Sequence, residues 1–395
     1  MNVKFSTKFV AASAAAVMAL SLAGCSGGSM DDSSSSSAKA SGDSITIGTV
    51  TTNSGTAAAY GEAEVKGFEL AVSEINAKGG INGKKVKLES MDDKGDATEA
   101  SNAYNKLAGD NNVLAVAGPT ISATTAAVAP LADQSKLVTI APAATSDSIE
   151  TGNYLFRTCF KDSYQGEVAA RFAAENLKVK KVAVLYGTGD PYSSGVGEAF
   201  AKAAEKLGLE VVDKESSSSA DDTEYSAQLQ KIQASGAELL YAPYYYSVAG
   251  PYIIPQARSV GFEGYVMGPD GYDGLKLTGD KSQYNKTYYT THSSADDNTN
   301  TKVQDFIKSY KSKNNAEPNT FAALGYDTIY MIKQAIEKAG ENATREDVRN
   351  AVAGMTFDGV TGKFTMDKSG SPTKSVTVLE MKDGKPVYNT TVQPK

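Results

Sequence analysis

The sequence is poor in the residues that most catalytic and metal centres require. Its 395 residues include one histidine (His292), two cysteines (Cys25 and Cys159) and no tryptophan. Zinc sites need several histidine or cysteine ligands, and disulfide frameworks need several paired cysteines, so most zinc sites and all such frameworks are excluded. A Ser-His-Asp triad would depend on His292 alone. We therefore expect neither a metal site nor a cofactor.

The chain also lacks an excess of basic residues. Lys and Arg number 39 and Asp and Glu number 46, which gives a net charge of −7 at pH 7. Because an acidic chain repels phosphate backbones, nucleic acid is not expected as a partner. The apolar fraction of 41% and the charged fraction of 22% are typical of globular proteins, and the length predicts two or three domains.

The amino terminus has the pattern of an export signal. After a basic start, residues 9–22 form an apolar run that is too short to span a bilayer well. The following Leu22-Ala23-Gly24-Cys25 looks like a bacterial lipobox, in which the cysteine receives a diacylglyceryl group and becomes the first mature residue. We expect a lipoprotein signal peptide over residues 1–24 and lipidation at Cys25. The alternative is an ordinary cleavage site with a chance cysteine.

A Ser/Gly-rich segment follows the predicted lipidation site. Residues 25–44 carry almost no apolar side chains, so they cannot offset the entropy of becoming ordered. This composition is typical of a flexible tether. We therefore expect an exported protein that is lipid-anchored on the outer face of the cell membrane.

Beyond residue 44, strand-like and helix-like apolar patterns alternate. Strands are predicted near residues 45–50, 85–89, 113–117, 137–140, 181–186, 209–214, 238–242, 264–267, 363–366 and 375–381, and helices near 60–78, 98–108, 123–134, 165–177, 194–207, 225–234, 248–260, 301–313, 320–339 and 344–352. Two successive strand-helix series predict an α/β fold with two doubly wound parallel sheets, each covered by helices on both faces.

Ligands of open α/β sheets bind beyond the carboxyl ends of the strands. The segments that follow the predicted strands are residues 51–56, 118–122, 141–146, 187–192, 243–246 and 268–271. They offer hydroxyl groups, backbone N–H groups at helix starts, several tyrosines and one conspicuous carboxylate, Asp270. This set of groups can hold a small zwitterion.

Competing motifs are weak. Gly187-Thr188-Gly189 follows a strand, but the third glycine of a dinucleotide-binding GxGxxG motif falls on Tyr192. The sequence has no GxSxG nucleophile elbow and no phosphate-binding GxxxxGK[ST] loop. We expect His292 to lie at the surface or in a hinge strand, without a catalytic role. Residues 92–96 (DDKGD) lack the spacing of a calcium loop and predict a solvated turn.

Several segments together resemble the branched-chain amino-acid-binding proteins of ABC importers. They are Ile75-Asn76-Ala77-Lys78-Gly79-Gly80-Ile81-Asn82-Gly83, Asp92-Asp93, residues 118–125, 140–145, Arg157-Thr158, residues 162–166 and Met267-Gly268-Pro269. The resemblance covers roughly residues 44–385. It implies the type I periplasmic-binding fold, in which two lobes joined by a three-strand hinge close on a ligand.

The resemblance also implies a ligand site. Residues at the family's positions for the ligand α-carboxylate and part of its ammonium are Ser122, Ala143 and Thr145, and Asp270 takes the position of the acidic partner of the ammonium. Tyrosines that would line the site are Tyr60, Tyr192 and Tyr245. Asp270 is one methylene shorter than the family's usual glutamate, and tryptophan is absent. The side-chain pocket is therefore hard to size from the sequence.

The resemblance implies a domain plan and a role. Residues 45–163 and 291–370 would form lobe one, and residues 164–290 and 371–395 lobe two. We expect a monomeric substrate-binding protein, not an enzyme, that delivers a hydrophobic amino acid of the branched-chain type to the membrane permease of an ABC importer. The same pocket would suit an extracellular amino-acid-sensing module for a membrane receptor. A sugar-binding relative is a further alternative, although one carboxylate and many hydroxyls fit a zwitterion better.

Overall fold

The computed structural model describes residues 43–149, 153–296 and 300–394. The predicted signal peptide, the lipidation site and nearly all of the tether lie outside these residues. Across the three described ranges, no helix combines the length and the apolar character needed to cross a membrane.

Strands and helices alternate through most of the described chain. The strands are β1 (Ser44–Thr51), β2 (Lys85–Asp92), β3 (Val113–Ala117), β4 (Val138–Ala141), β5 (Leu155–Arg157), β6 (Lys181–Gly187), β7 (Glu210–Ser217), β8 (Leu239–Tyr241), β9 (Tyr265–Gly268), β10 (Thr287–Thr291), β11 (Thr356–Gly359), β12 (Gly362–Thr365), β13 (Val376–Lys382) and β14 (Lys385–Val392). The α-helices are α1 (Ala58–Ala77), α2 (Ala97–Gly109), α3 (Ser122–Ser135), α4 (Asp162–Phe172), α5 (Pro191–Lys206), α6 (Ser226–Ala234), α7 (Tyr246–Val248), α8 (Ile254–Ser259), α9 (Thr301–Asn314), α10 (Thr320–Ala339) and α11 (Arg345–Val352).

The first sheet is parallel and has the strand order β2-β1-β3-β4-β5. Its central strand β3 is buried at every residue, as expected for a strand with both faces covered. One face packs on α1, α10 and α11, where Ile47 meets Ile332 and Val348 in one apolar cluster. The other face packs on α2 and α3 around Tyr104 and Val128. We call this sheet and these five helices the first lobe.

The second sheet has the order β14-β13-β10-β9-β8-β6-β7. Strands β6 to β10 pair in parallel, whereas β13 pairs antiparallel with β10, and β14 antiparallel with β13. Helices α4 and α5 cover one face near Val196 and Phe200, and α6 and α8 cover the other near Leu229 and Ile254. We call this sheet and these four helices the second lobe.

The chain passes between the sheets at several places. It leaves the first sheet after β5, returns from β10 towards α10, and crosses again between β12 and β13. The β11–β12 hairpin packs with the first lobe through Phe357 and Phe364. Thr291, at the end of β10, pairs with Thr377 of β13 in the second sheet.

The predicted α/β class with helix-covered parallel sheets is confirmed, and the structure adds strands that the pattern did not predict. β5 has three residues, β10 reads TYYTT, and β14 is an edge strand with mostly exposed side chains. Each of these lacks the run of alternating or continuous aliphatic residues from which strands are recognised. The predicted helix 248–260 is divided into α7, a π-helical segment (Ala249–Ile253) and α8.

Candidate functional site

A small cavity lies where the two lobes meet. It is lined by Tyr60, Thr120, Ile121, Ser122, Ala143, Tyr192, Tyr245, Asp270, Gly271 and Phe321. The first-lobe residues come from the start of α1, the turn into α3, the loop after β4 and the start of α10. The second-lobe residues come from α5 and the loops after β8 and β9. The cavity thus lies at the carboxyl ends of the strands, where parallel sheets place ligands.

The structure brings together most of the predicted ligand residues. Tyr60, Ser122, Ala143, Tyr192, Tyr245 and Asp270 all line the cavity, and Thr145 does not. Thr145 is fully buried in the loop after β4, and its hydroxyl faces the buried carboxyl group of Asp162. The predicted lipidation site, Cys25, lies outside the described part of the chain.

One end of the cavity is suited to an anion. Ser122 is the first residue of α3, so backbone N–H groups and the positive end of the helix dipole face the cavity there. Its Oγ accepts a hydrogen bond from the Ser146 N–H at 3.1 Å. Arg157 donates to the Thr145 carbonyl at 2.8 Å and to the Ser146 carbonyl at 3.0 Å. The buried guanidinium thus holds the loop after β4 against α3.

The second lobe contributes a buried carboxylate to the cavity. Asp270 is 2% exposed, and its Oδ1 accepts a hydrogen bond from the Tyr192 hydroxyl at 2.8 Å. The same hydroxyl accepts from the Gly271 N–H at 2.8 Å. Asp270 Oδ2 lies 3.1 Å from His292 Nε2. A carboxylate held by two donors is suited to pair with a ligand cation.

Of the two positions expected for His292, the surface is wrong, because the residue is buried directly after β10, where the chain leaves the second sheet. His292 is 3% exposed, and its imidazole ring stacks on the ring of Phe160 with centroids 3.7 Å apart. Burial lowers the pKa of His292 to about 4, so the ring is neutral at pH 7. Since a carboxylate can only accept, the ring proton is assigned to Nε2, which donates to Asp270. The sequence missed this contact because His292 and Asp270 lie 22 residues apart with no motif between them.

Aromatic side chains form the remaining walls and join the lobes. Tyr60 stacks on Phe321 with centroids 4.0 Å apart, and the Tyr192 and Tyr245 rings are parallel at 5.3 Å. The Tyr60 hydroxyl donates to the Gly271 carbonyl at 2.5 Å and accepts from the Tyr246 N–H at 2.9 Å. The hydrogen bonds connect the first lobe to the second, so the two lobes are in contact around the cavity.

Phe321 and Ile121 are cavity residues that the sequence analysis missed. Phe321 lies in the first turn of α10, after the helix cap Asn319, and not in a segment that follows a strand. Asn319 before a helical apolar pattern is a recognisable helix start, which could have drawn attention to this position. Ile121 lies in the segment that follows β3, where the resemblance points only to its neighbour Ser122.

The predicted solvated turn at residues 92–96 is correct in part. Asp92 and Asp96 are exposed, and Asp96 caps α2. Asp93 is fully buried, and its Oδ1 accepts from the Thr52 hydroxyl and the Gly95 N–H. Within the described ranges, no group of three or more His, Cys, Asp or Glu side chains is arranged to hold a metal ion.

Comparison with known proteins places these features in a family. The family described as "Periplasmic binding protein" matches residues 44–386. The Leu/Ile/Val-binding protein homolog 3 of Brucella melitensis is 30% identical over 86% of this chain and 92% of its own length. The leucine-, isoleucine-, valine-, threonine- and alanine-binding protein of Pseudomonas aeruginosa is 30% identical over 83% of this chain and 87% of its own length.

Solved structures agree with the fold. The branched-chain amino acid transporter substrate-binding protein LivJ of Streptococcus pneumoniae, in complex with isoleucine, is 33% identical with a TM-score of 0.82. That match covers 89% of this chain and 100% of LivJ. The leucine-binding protein LivK of Thermotoga maritima is 30% identical with a TM-score of 0.81, over 89% of this chain and 99% of LivK. The chain therefore belongs to the periplasmic binding protein family and has its type I fold.

Proposed function

We propose that this protein is the exported substrate-binding component of an ABC importer and captures a branched-chain α-amino acid between its two lobes. The observation that carries the proposal is that the two lobes contribute different kinds of polar group to the cavity. An anion-binding helix start lies on the first lobe, and a buried carboxylate lies on the second. An α-amino acid carries its two charges on adjacent groups, so it can satisfy both ends at once. The protein captures and delivers its ligand without chemical change.

The ligand carboxylate binds at the start of α3. Ser122 contributes its hydroxyl and the helix start, Ala143 lines the wall through the loop after β4, and Thr145 contributes Oγ1 from behind that wall.

The ligand ammonium binds Asp270, and the ligand side chain lies against the apolar wall. Asp270 accepts a hydrogen bond from Tyr192 and lines the cavity from the second lobe, whereas the start of α3 lines it from the first. The side chains of Ile121 and Phe321, with the ring of Tyr60, supply apolar surface.

The test is a ligand panel measured by thermal shift and calorimetry on the mature protein. Leucine, isoleucine and valine should raise the Tm, since a ligand at 1,000 times its Kd adds about 4 kcal/mol of stability. Leucinamide lacks the carboxylate and 4-methylpentanoate lacks the ammonium, so both should bind at least roughly 30-fold more weakly than leucine. Glucose is the control for a sugar site. Equal binding of leucine and leucinamide, or a larger shift with glucose, would contradict the proposal.

We also propose the lipid anchor and the lobe limits. Cys25 carries the lipid after removal of residues 1–24, residues 25–44 form the tether, and the monomeric body works at the outer face of the membrane. Lobe one comprises residues 45–163 and 291–370, and lobe two residues 164–290 and 371–395. Cys25→Ser should move the protein from the detergent-extracted membrane fraction to the soluble exported fraction. An unchanged membrane fraction would contradict lipidation at Cys25.

A further inference from the structure

His292 stands at the point where the chain leaves the second sheet. It directly follows β10, and Phe160 packs against the face of its ring with an interplanar angle of 23°. Its Nε2 is 3.1 Å from Asp270 Oδ2, and both side chains are buried. His292 does not line the cavity, whereas its partner Asp270 does, so His292 can influence a bound ligand through Asp270.

The backbone of Asp270 is tied to the same place. Gln165 Oε1 accepts a hydrogen bond from the Asp270 N–H at 3.3 Å and another from the Thr290 hydroxyl at 3.2 Å. Thr290 is in β10, two residues before His292. Both the backbone and the carboxylate of Asp270 are therefore connected to the end of β10.

An apolar residue in place of His292 would fill the same space without burying an unpaired polar atom. The ring Nδ1 of His292 is buried and has no hydrogen-bond partner in the described part of the chain. A buried acceptor without a partner is destabilising. Burial of the unpaired Nδ1 therefore costs free energy, and the hydrogen bond between Nε2 and Asp270 offsets that cost.

We infer that His292 is a positioning residue for ligand recognition, which keeps the Asp270 carboxylate aimed at the ammonium group of the amino acid. The inference rests on the proposed function, in which Asp270 binds that ammonium. Hydrogen bonds to a carboxylate are strong and fix its direction. Tyr192 donates to one oxygen of Asp270 and His292 donates to the other. Without His292, one oxygen of Asp270 would lose its donor and the carboxylate would be free to turn away from the cavity.

A double-mutant cycle with leucine tests the inference. His292→Leu removes the donor and should weaken leucine binding by about tenfold, at the lower end of the range for hydrogen bonds to charged groups. Asp270→Ala alone should weaken leucine binding by roughly 30-fold or more. In the Asp270→Ala background, His292→Leu should weaken leucine binding by less than about a further twofold, because the carboxylate that His292 contacts is already absent.

Two amide variants separate positioning from packing. His292→Gln places an N–H near the position of the imidazole Nε2 and should recover most of the loss, whereas His292→Asn ends short of Asp270 and should not. If His292→Leu does not fold, His292→Asn replaces it in the cycle, with the Tm of each variant as the check. Equal losses in the wild-type and Asp270→Ala backgrounds, or no recovery in His292→Gln, would overturn the inference. If Asp270→Ala itself leaves leucine affinity within threefold, the proposed ammonium site fails instead.

Discussion

At the scale of single residues, Thr145 is a fully buried threonine in the loop after β4, and its proposed role is to bind the ligand carboxylate. Thr145→Val keeps the shape of the side chain and removes the hydroxyl. We expect leucine binding to weaken by about 1.5–3 kcal/mol, the range for hydrogen bonds to charged groups, as measured by calorimetry. The matched control is Thr139→Val in β4, whose hydroxyl bonds with Tyr104 away from the cavity. An equal loss in both variants would mean that Thr145 acts through stability alone.

The pKa of His292 predicts a pH dependence of folding. Burial lowers this pKa to about 4, whereas an unfolded histidine has a pKa of about 6.5. Between these values the unfolded chain binds a proton that the folded protein does not, so this residue lowers stability as the pH falls from about 6.5 to about 4. At pH 4 the free energy of unfolding is therefore lower by about 3 kcal/mol than at pH 7 through this residue alone.

His292→Gln isolates that contribution. Asp270 and Lys374 face His292 and remain in both proteins, and buried acids with a raised pKa, such as Asp162, act in the opposite direction in both. We therefore expect urea unfolding at pH 7 and pH 4.5 to show that the variant loses less free energy of unfolding on acidification than the wild-type protein. Parallel stability profiles would show that His292 is not a buried neutral ring.

At the scale of elements, the turn from β3 into α3 positions the anion-binding end of the cavity. Gly118 has φ +121°, and a Cβ there would collide with the Val50 carbonyl oxygen of β1. Gly118→Ala should therefore cost more than about 2 kcal/mol in the free energy of unfolding, measured with urea.

The control for this turn is Gly109→Ala. Gly109 ends α2, and no described atom lies within 4 Å of a Cβ placed there. Alanine in place of an unhindered helical glycine stabilises by about 0.5–1 kcal/mol. If Gly118→Ala were as stable as Gly109→Ala, the tight turn would not be what sets the start of α3.

At the scale of the whole molecule, closure depends on contacts that exist only when the lobes meet. Tyr60 links the start of α1 to Gly271 and to the Tyr246 N–H, and Ser247 donates to the Thr56 carbonyl at 2.7 Å. A ligand shifts the equilibrium between open and closed forms only through such differential contacts.

Tyr60→Phe removes the bridging hydroxyl and keeps the ring against Phe321. We expect leucine binding to weaken roughly tenfold, because two buried groups lose their partner on closure. Tyr326→Phe is the matched control, since its hydroxyl donates to Glu74 within the first lobe. Calorimetry gives the affinity, and small-angle scattering gives the compaction on adding leucine. Identical behaviour of the two variants would show that Tyr60 does not bridge the closed form.

The sequence by itself determined the class of fold and much of the cavity lining. Local apolar periodicity marked most of the strands and helices, and parallel sheets place the ends of their strands at one edge. The segments after the predicted strands contain Ser122, Ala143, Tyr192, Tyr245 and Asp270, and the structure brings these residues to one cavity. The local pattern marks the segments, and the resemblance to the family points to the individual residues within them.

Only the tertiary structure decided which side chains support the cavity from behind. His292 meets Asp270, Asp93 meets Thr52, and Phe321 enters from the start of α10, all through contacts between segments distant in the chain. The edge strand β14 is recognisable only through its pairing with β13, since its own side chains are mostly exposed. Such contacts carry no local periodicity, because they arise from how the sheets and helices pack together.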